Sequence, residues 1–431
     1  MASSVQGIVN PYKYLINTFL LLIICGAILL YCPFAYSIGH LYLIDAIFMA
    51  ASAVCVTGLT TVDVSDFTLI GQIIILLLIQ LGGLGIMYLS SVLLLFLKGQ
   101  LSFSQRLMFT KYHGTYEYYN MEKILPIILI YTFFLECIGA FCLTLGFLLQ
   151  GYNVWTSIYF GVFHSISAFC NAGLSPIDSS IVGLNNIIKI TIMFLIVFGG
   201  LGFYVVYDIY MHVKVKTSFR VHTKVVLLTT AVLILIGVLG LLIFESGKIA
   251  LVDAFFQSIT PRTAGFNTVD LTTLSSASKF LIIFLMIIGA SPASTGGGIK
   301  TATAFIAFFS IYMVLRGKLS FVIFKRRIPT ETIMRSFSLT LLYLFVVFLG
   351  TIVILLTHKF SLLNASFEVA SALGTVGLSL GATRELSEIG KIIIIILMFL
   401  GRVGPSALLL MMINKEKVHK IIYPEEKVLL G

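Results

Sequence analysis

The sequence predicts an all-α membrane protein: eight transmembrane helices arranged as four M1–P-loop–M2 repeats, in pseudo-four-fold order around a central pore. Three observations carry this. Of 431 residues, 59% are hydrophobic and 11% charged, whereas soluble domains carry about 25% charged residues. Several apolar runs reach the roughly 18 residues that mark a spanning helix. One pattern, a long apolar helix, a short apolar segment, a polar glycine-containing loop and a second long helix, recurs four times.

The repeats are read at 11–98, 124–212, 224–316 and 335–414. Segments 99–123, 213–223, 317–334 and 415–431 are read as cytosolic loops and C-terminus. The long helices fall near Tyr14–Tyr31 and Leu69–Leu97, Leu125–Leu149 and Ile187–Tyr210, Val225–Phe244 and Lys279–Leu315, and Phe337–Thr357 and Gly390–Met412. The short segments are Asp45–Val54, Ser157–Phe169, Asp253–Thr260 and Asn364–Gly374. They are too short for a hydrocarbon core about 30 Å thick. Each therefore enters and leaves by one face. Irregular backbone at that depth is tolerated only inside protein or along a wet cavity, so the four loops are expected to meet on one path.

The registers are close. A phenylalanine stands ten residues before a glycine in every unit: Phe48/Gly58, Phe163/Gly173, Phe255/Gly265 and Phe367/Gly377. The strings ending on those glycines run Ser52-Ala53-Val54-Cys55-Val56-Thr57-Gly58, Ser167-Ala168-Phe169-Cys170-Asn171-Ala172-Gly173, Ile259-Thr260-Pro261-Arg262-Thr263-Ala264-Gly265 and Ser371-Ala372-Leu373-Gly374-Thr375-Val376-Gly377. A second glycine recurs in the second long helix: Gly82, Gly199, Gly289 and Gly401.

Charge orients the chain. The net charge is +10, but the basic residues cluster at Lys98–Lys123, Lys214–Lys224, Arg316–Arg335 and Lys415–Lys427, alternating with loops poor in Lys and Arg. That asymmetry is the positive-inside pattern. It places both termini in the cytosol and argues against nucleic-acid binding. Asp45, Asp63, Asp66, Asp178, Glu245, Asp253, Asp270, Glu385 and Glu388 fall on the outer side, where negative charge is expected to concentrate cations. The six cysteines form no CxxC pair and read as small buried hydrophobes. The first apolar run lacks a small-residue cleavage site and reads as a retained helix.

The chemistry points to a monovalent cation. Each short helix would aim its C-terminal end, with its partial negative charge, at the centre. The loop beyond offers backbone carbonyls in place of hydration water, and glycine turns them inward without a side chain. No Asp or Glu stands in the four strings, which disfavours a carboxylate site for a divalent ion. Arg262 reads as a structural residue tethering its loop through carbonyls. His164 reads as a packed residue of the second short helix, and Glu136 as an intramembrane charge with no evident partner.

The third unit differs. Its second helix is interrupted by Gly289, Ala290, Ser291, Pro292, Ala293, Ser294, Thr295, Gly296, Gly297 and Gly298. Proline and four glycines in ten residues cannot continue a helix, whereas the other units are expected to run unbroken past their second glycine. Gly298-Ile299-Lys300-Thr301 is not a nucleotide-binding P-loop, which needs Lys directly after Gly and a preceding strand. The expectation is a flexible loop obstructing the path beneath the filter.

These strings, the four-fold plan and the basic inner loops resemble the Trk/Ktr/HKT superfamily of potassium transporters, over essentially the whole chain. The KtrB-type membrane subunit is the nearest pattern, since Trk-type relatives carry an extra N-terminal helix pair. The resemblance implies a K+-binding selectivity filter at Cys55, Val56, Thr57, Gly58, Asn171, Ala172, Gly173, Thr263, Ala264, Gly265, Thr375, Val376 and Gly377. Some plant relatives have Ser at the first glycine and favour sodium; Gly58 supports potassium. The loops depart from the TVGYG string of potassium channels, which lowers the expected strictness of selection. The resemblance also makes Gly289–Gly298 a gate and puts Arg402 in the pore below the filter as a positive barrier. Lys300 either adds to that field or reaches the cytosolic interface. It further implies a homodimer in the bacterial plasma membrane, on an octameric cytosolic ring of KtrA-type subunits that bind ATP, ADP and in some cases NAD, with Na+ as an activator. The chain itself carries no nucleotide-binding domain. No HExxH, GxSxG or intramembrane aspartyl pair supports an enzyme, and four like-oriented repeats do not match the inverted halves of an alternating-access symporter.

Overall fold

The computed structural model describes residues 11–85, 121–178, 180–318 and 321–404. The end of the first unit's second helix, residues 99–120 of the 99–123 loop, the stretch 405–414 and the 415–431 terminus lie outside the described residues, and residues 121–123 open a helix instead.

Fourteen α-helices are found among the described residues. The first unit holds α1 (Pro11–Tyr31), α2 (Leu43–Val54) and α3 (Leu69–Leu84). The second holds α4 (Met121–Leu149), α5 (Val154–Phe169), α6 (Asn186–Gly200) and α7 (Phe203–Val215). The third holds α8 (Val221–Phe244), α9 (Leu251–Ile259), α10 (Ser276–Ile287) and α11 (Thr301–Leu315). The fourth holds α12 (Thr330–Thr357), α13 (Leu362–Gly374) and α14 (Glu388–Val403). A small hairpin, β1 (Val322–Ile323) and β2 (Arg326–Arg327), joins α11 to α12.

Polar residues start the second helices. The side chains of Thr68, Asn185, Ser275 and Ser387 accept from the backbone N–H of Gly71, Ile188, Ser278 and Gly390, satisfying donors that helix starts leave open. Four described helices, in the spans 13–31, 125–149, 221–244 and 330–357, are long and apolar enough to cross a membrane; the bent pair α6–α7 makes a fifth if taken as one span. These long helices carry exposed apolar faces, such as Leu21, Ile24 and Ile28 on α1 and Phe345 and Phe348 on α12. The short helices are buried: Phe48, Phe163 and Phe367 are wholly enclosed. That inversion suits a lipid solvent, in which apolar side chains need no shelter and polar backbone does. The phenylalanine register slips in the third unit, where Phe255 is half-buried and Phe256 fills the core.

The units close on one another in chain order. In each, the first long helix packs on its own short helix. The second helix of each unit then packs on the short helix of the next: α3 on α5, α6 on α9, α10 on α13 and α14 back on α2. Two of these seams hold part-buried ion pairs, Lys189–Asp253 at 2.7 Å and Lys391–Asp45 at 2.6 Å.

One expectation is overturned. The second helices of the other units do not run unbroken past their second glycine. α3 stops at Gly85, α6 at Gly202 and α14 at Gly404, with φ of +81°, +89° and +89°, and α7 leaves α6 at 93°. A positive φ cannot continue a right-handed helix.

Candidate functional site: a ring of four glycines above an internal loop

The loops after the four short helices share one backbone course. Each passes through a left-handed residue two positions before its glycine, Val56, Asn171, Thr263 and Thr375, with φ of 55°, 61°, 78° and 50°. The glycines follow at 93°, 67°, 80° and 93°. For β-branched Val and Thr this geometry is costly, on the order of 1–3 kcal/mol each. Its recurrence at one register in all four units marks a conformation imposed by the surroundings.

The glycines meet. A Cβ on Gly58 would lie 2.4 Å from the Ala172 oxygen, one on Gly173 2.3 Å from the Ala264 oxygen, one on Gly265 2.3 Å from the Val376 oxygen, and one on Gly377 2.3 Å from the Thr57 oxygen. Each glycine thus packs on the carbonyl preceding the glycine of the next unit, and the cycle closes. No other residue type fits. The same glycines line one cavity of about 320 Å³, whose rim carries Asp63, Asp178, Asp270 and Arg384.

Hydroxyls hold the loops. The Ser52 and Ser371 Oγ atoms accept from the N–H of Gly58 and Gly377 at 3.0 and 3.1 Å. Ser167 Oγ donates to the Leu174 carbonyl at 2.8 Å, and Thr260 Oγ1 to that of Phe266 at 2.7 Å. Sequence reasoning did not assign this role, although serine opens three of the four strings. In the second and fourth units a polar residue of the short helix grips the serine two places past the glycine: His164 Nε2 lies 3.0 Å from Ser175 Oγ, and Glu368 accepts from Ser379 Oγ. His164 is packed among Phe147, Phe160, Phe163 and Phe266, as expected.

The second glycines serve close approach. A Cβ on Gly82, Gly199 or Gly401 would sit 2.0, 1.9 or 2.1 Å from the carbonyl oxygen of Val54, Phe169 or Leu373, each near the end of a short helix. Gly289 instead faces Gly297 O, inside its own loop.

That loop, Gly289–Gly298, is closed at its neck by Gly289 N–H to Ile299 O at 3.0 Å and Ile299 N–H to Ile287 O at 3.2 Å. It lies directly against three of the four left-handed residues. Asn171 Nδ2 donates to Thr295 Oγ1 at 3.1 Å, Gly297 N–H donates to Thr375 Oγ1 at 3.0 Å, and a Cβ on Gly296 would meet Thr263 Oγ1 at 2.0 Å. It is also tied to the α6–α7 break. Ser291 N–H donates to Gly200 O at 3.0 Å, and Phe203 N–H to Ala293 O at 2.8 Å.

Arg402 donates to the Thr295 carbonyl and to those of Gly82 and Gly83, the last at 3.1 Å. It therefore joins the end of α14 to the end of α3 and to the loop. Lys300 Nζ donates to Gly296 O at 2.6 Å, so it staples the loop.

Two further expectations change. The outer acids are not all free to attract cations. Asp45 and Asp253 are consumed in part-buried ion pairs, Asp63 pairs with Arg384, Asp178 accepts from Ser65, and Glu245 accepts from Ser275 N–H and Ser278 Oγ at the start of α10. Burial raises the Asp63 carboxyl above its ordinary range, with Arg384 opposing and Asp178 and Asp66 adding. Among the described residues Arg262 is bonded to a hydroxyl and not to a carbonyl. Its Nη2 reaches Thr230 Oγ1 on α8 at 3.3 Å.

Comparison with known proteins settles the family. The model of the TrkH cation transport protein family matches residues 6–421. The chain belongs to this family. The family consists of membrane cation transporters, not enzymes. The Ktr system potassium uptake protein B of Vibrio alginolyticus is 37% identical, over 97% of this chain and 94% of that protein. Its namesake from Bacillus subtilis is 36% identical, over 98% and 97%. The potassium/sodium uptake protein NtpJ of Enterococcus hirae is 35% identical, over 100% and 99%. The crystal structure of the potassium transporter TrkH from Vibrio parahaemolyticus has the same fold, with a TM-score of 0.72 at 18% identity, over 96% of this chain and 86% of that one.

Proposed function

We propose that this chain carries potassium ions into a bacterial cell along the axis of its glycine ring. The observation that carries the reading is the closed cycle of contacts, in which Gly58, Gly173, Gly265 and Gly377 each abut the carbonyl of the neighbouring unit. Backbone oxygens so held can replace the water of a weakly hydrated ion, and the short-helix C-termini add partial negative charge. The strings from Cys55, Asn171, Thr263 and Thr375 to their glycines are the selectivity filter of this reading. The names of the Vibrio alginolyticus and Bacillus subtilis relatives, both potassium uptake proteins, support the choice of ion.

The same reading takes the chain as eight spans in four M1–P-loop–M2 units, 11–98, 124–212, 224–316 and 335–414, with both termini in the cytosol. Gly289–Gly298, Lys300 and Arg402 form the gate. The hydrogen bonds of Thr295, Gly297 and Arg402 favour this, because they hold the loop directly beneath the filter strings. A homodimer on an octameric nucleotide-binding ring would supply regulation from the cytosolic side. The exposed hairpin segment Lys325–Arg327 is a basic surface for it. Sodium enters as an activator or competitor, because the Enterococcus hirae relative is named for uptake of both ions.

The test is rubidium and potassium flux in proteoliposomes, with sodium as competitor. Wild-type protein is expected to prefer potassium, and Gly58→Ser to lose part of that preference. Identical uptake constants for both ions in the two proteins would sink the filter assignment. A shortened Gly289–Gly298 segment is expected to raise flux. A well-inserted deletion that transports at the wild-type rate would remove the gate.

A further inference from the structure

Glu136 lies in the middle of α4 and is 5% exposed. Its setting differs from that of the other buried acids. Asp45 and Asp253 each face a lysine, Asp208 pairs with Arg220, and Glu368 is held by Ser379, Leu380 and Thr383. Among the described residues the Glu136 carboxyl group has one hydrogen bond: Gln80 Nε2 donates to Oε2 at 3.2 Å. Its Oε1 is buried without a partner among the same residues. A buried carboxyl so sparsely satisfied is costly, so its single contact carries weight.

That contact leads to the ion path. The other end of the Gln80 amide, Oε1, accepts from Cys170 Sγ at 3.4 Å. Cys170 caps α5 and immediately precedes the left-handed Asn171. The fit is tight, since a Cβ on Gly83 would lie 2.6 Å from Cys170 Sγ. Gln80 also stands two residues before Gly82, whose carbonyl seats Arg402. The Glu136 backbone carbonyl accepts from Ser165 Oγ on α5 at 2.7 Å. α3, α4 and α5 are thus pinned together around one amide.

We propose that Glu136 is a positioning residue for ion selection: through Gln80 it holds Cys170, and with it the filter loop of the second unit, in place against α3. Its role is that of a hydrogen-bond acceptor to Gln80, which glutamine can also fill. This inference rests on the filter reading above.

The experiment measures rubidium and sodium uptake constants in proteoliposomes for Glu136→Leu, Glu136→Gln, Gln80→Leu and the Glu136→Leu/Gln80→Leu double variant, beside Gly58→Ser. Glu136→Leu is expected to lower the rubidium-over-sodium preference about fivefold, the size of one ordinary hydrogen bond. Gln80→Leu should do the same, and it carries the test if Glu136→Leu is not inserted. The double variant should be no worse than either single one, because both break one chain of contacts. Glu136→Gln should keep the preference. A purely structural role would scale both ions equally and leave the ratio untouched. That result, or a Glu136→Gln variant as unselective as Glu136→Leu, overturns the inference. If Gly58→Ser shifts the ratio while Glu136→Leu and Gln80→Leu do not, this inference alone fails. If none of them shifts it, the filter reading fails too.

Discussion

The third unit and its three siblings reach the same ring by different supports. In the first, second and fourth units a second-helix glycine lets that helix close on the end of the short helix, at Gly82, Gly199 and Gly401. Three residues later a positive-φ glycine stops it. In the third unit Gly289 faces its own loop, and ten residues from Gly289 to Gly298 occupy the space. The loop bonds the second and fourth glycine strings through Asn171 and Thr375. Three units therefore close on their short helices by direct backbone contact, and one supplies a separate segment held by many individual hydrogen bonds, among them those of Asn171, Thr375 and Arg402.

The largest expected effect concerns the seams between units. Lys391→Ala would leave Asp45 buried and unpaired, and Lys189→Ala would leave Asp253 part-buried and unpaired. The first is expected to cost on the order of 3–5 kcal/mol and the second somewhat less, both read as thermal unfolding in detergent. If the third unit is held as firmly as the rest, the second loss should fall only slightly below the first. A much smaller loss for Lys189→Ala would make its seam the soft one.

Alanine at a ring glycine should be nearly as severe. Gly265→Ala and Gly377→Ala both place a methyl group about 2.3 Å from a carbonyl oxygen at positive φ. Strain of about 3 kcal/mol corresponds to roughly a hundredfold loss of cation uptake. Equal losses would show that the third unit departs from its siblings below the ring and not within it.

Removing one hydroxyl anchor is milder. Ser371→Ala leaves the Gly377 N–H without its acceptor, at a cost of about 1–3 kcal/mol. Ion preference should fall several-fold. Thr260→Val removes a donor to Phe266 O instead, which leaves only a carbonyl under-satisfied, so a smaller change is expected. Competitive uptake assays on the pair test the distinction.

The smallest effect is at the rim. The Asp63 carboxyl is raised, chiefly by burial, so it takes up a proton at higher pH than an ordinary aspartate. As pH falls, the Asp63–Arg384 pair should therefore be lost early, and uptake should decline on the acid side. Asp63→Asn should flatten that limb of the pH profile. An unchanged limb would assign it to another group.

Much of this was legible in the chain. The four-fold period, the short segments and the ring glycines follow from spacing, because a repeated backbone course needs glycine wherever backbones touch or φ turns positive. The anchor was half visible, as serine opens three strings. Thr260, one place along in the third string, hid the fourth. The stops at Gly85, Gly202 and Gly404 were missed because apolar residues continue beyond them, and hydropathy does not report φ.

What the sequence by itself determined was the solvent, the repeat and the chemistry of the loops, since composition and local backbone preference are properties of neighbouring residues. What only the tertiary structure decided was which charges are spent and which remain. Lys189 meets Asp253 and Lys391 meets Asp45 across seams between units, Arg402 meets carbonyls of α3 and of the loop, and the Glu136 carboxyl meets, among the described residues, a single amide. Those partners lie dozens to hundreds of residues apart, and nothing short of the closed ring brings them within hydrogen-bond reach.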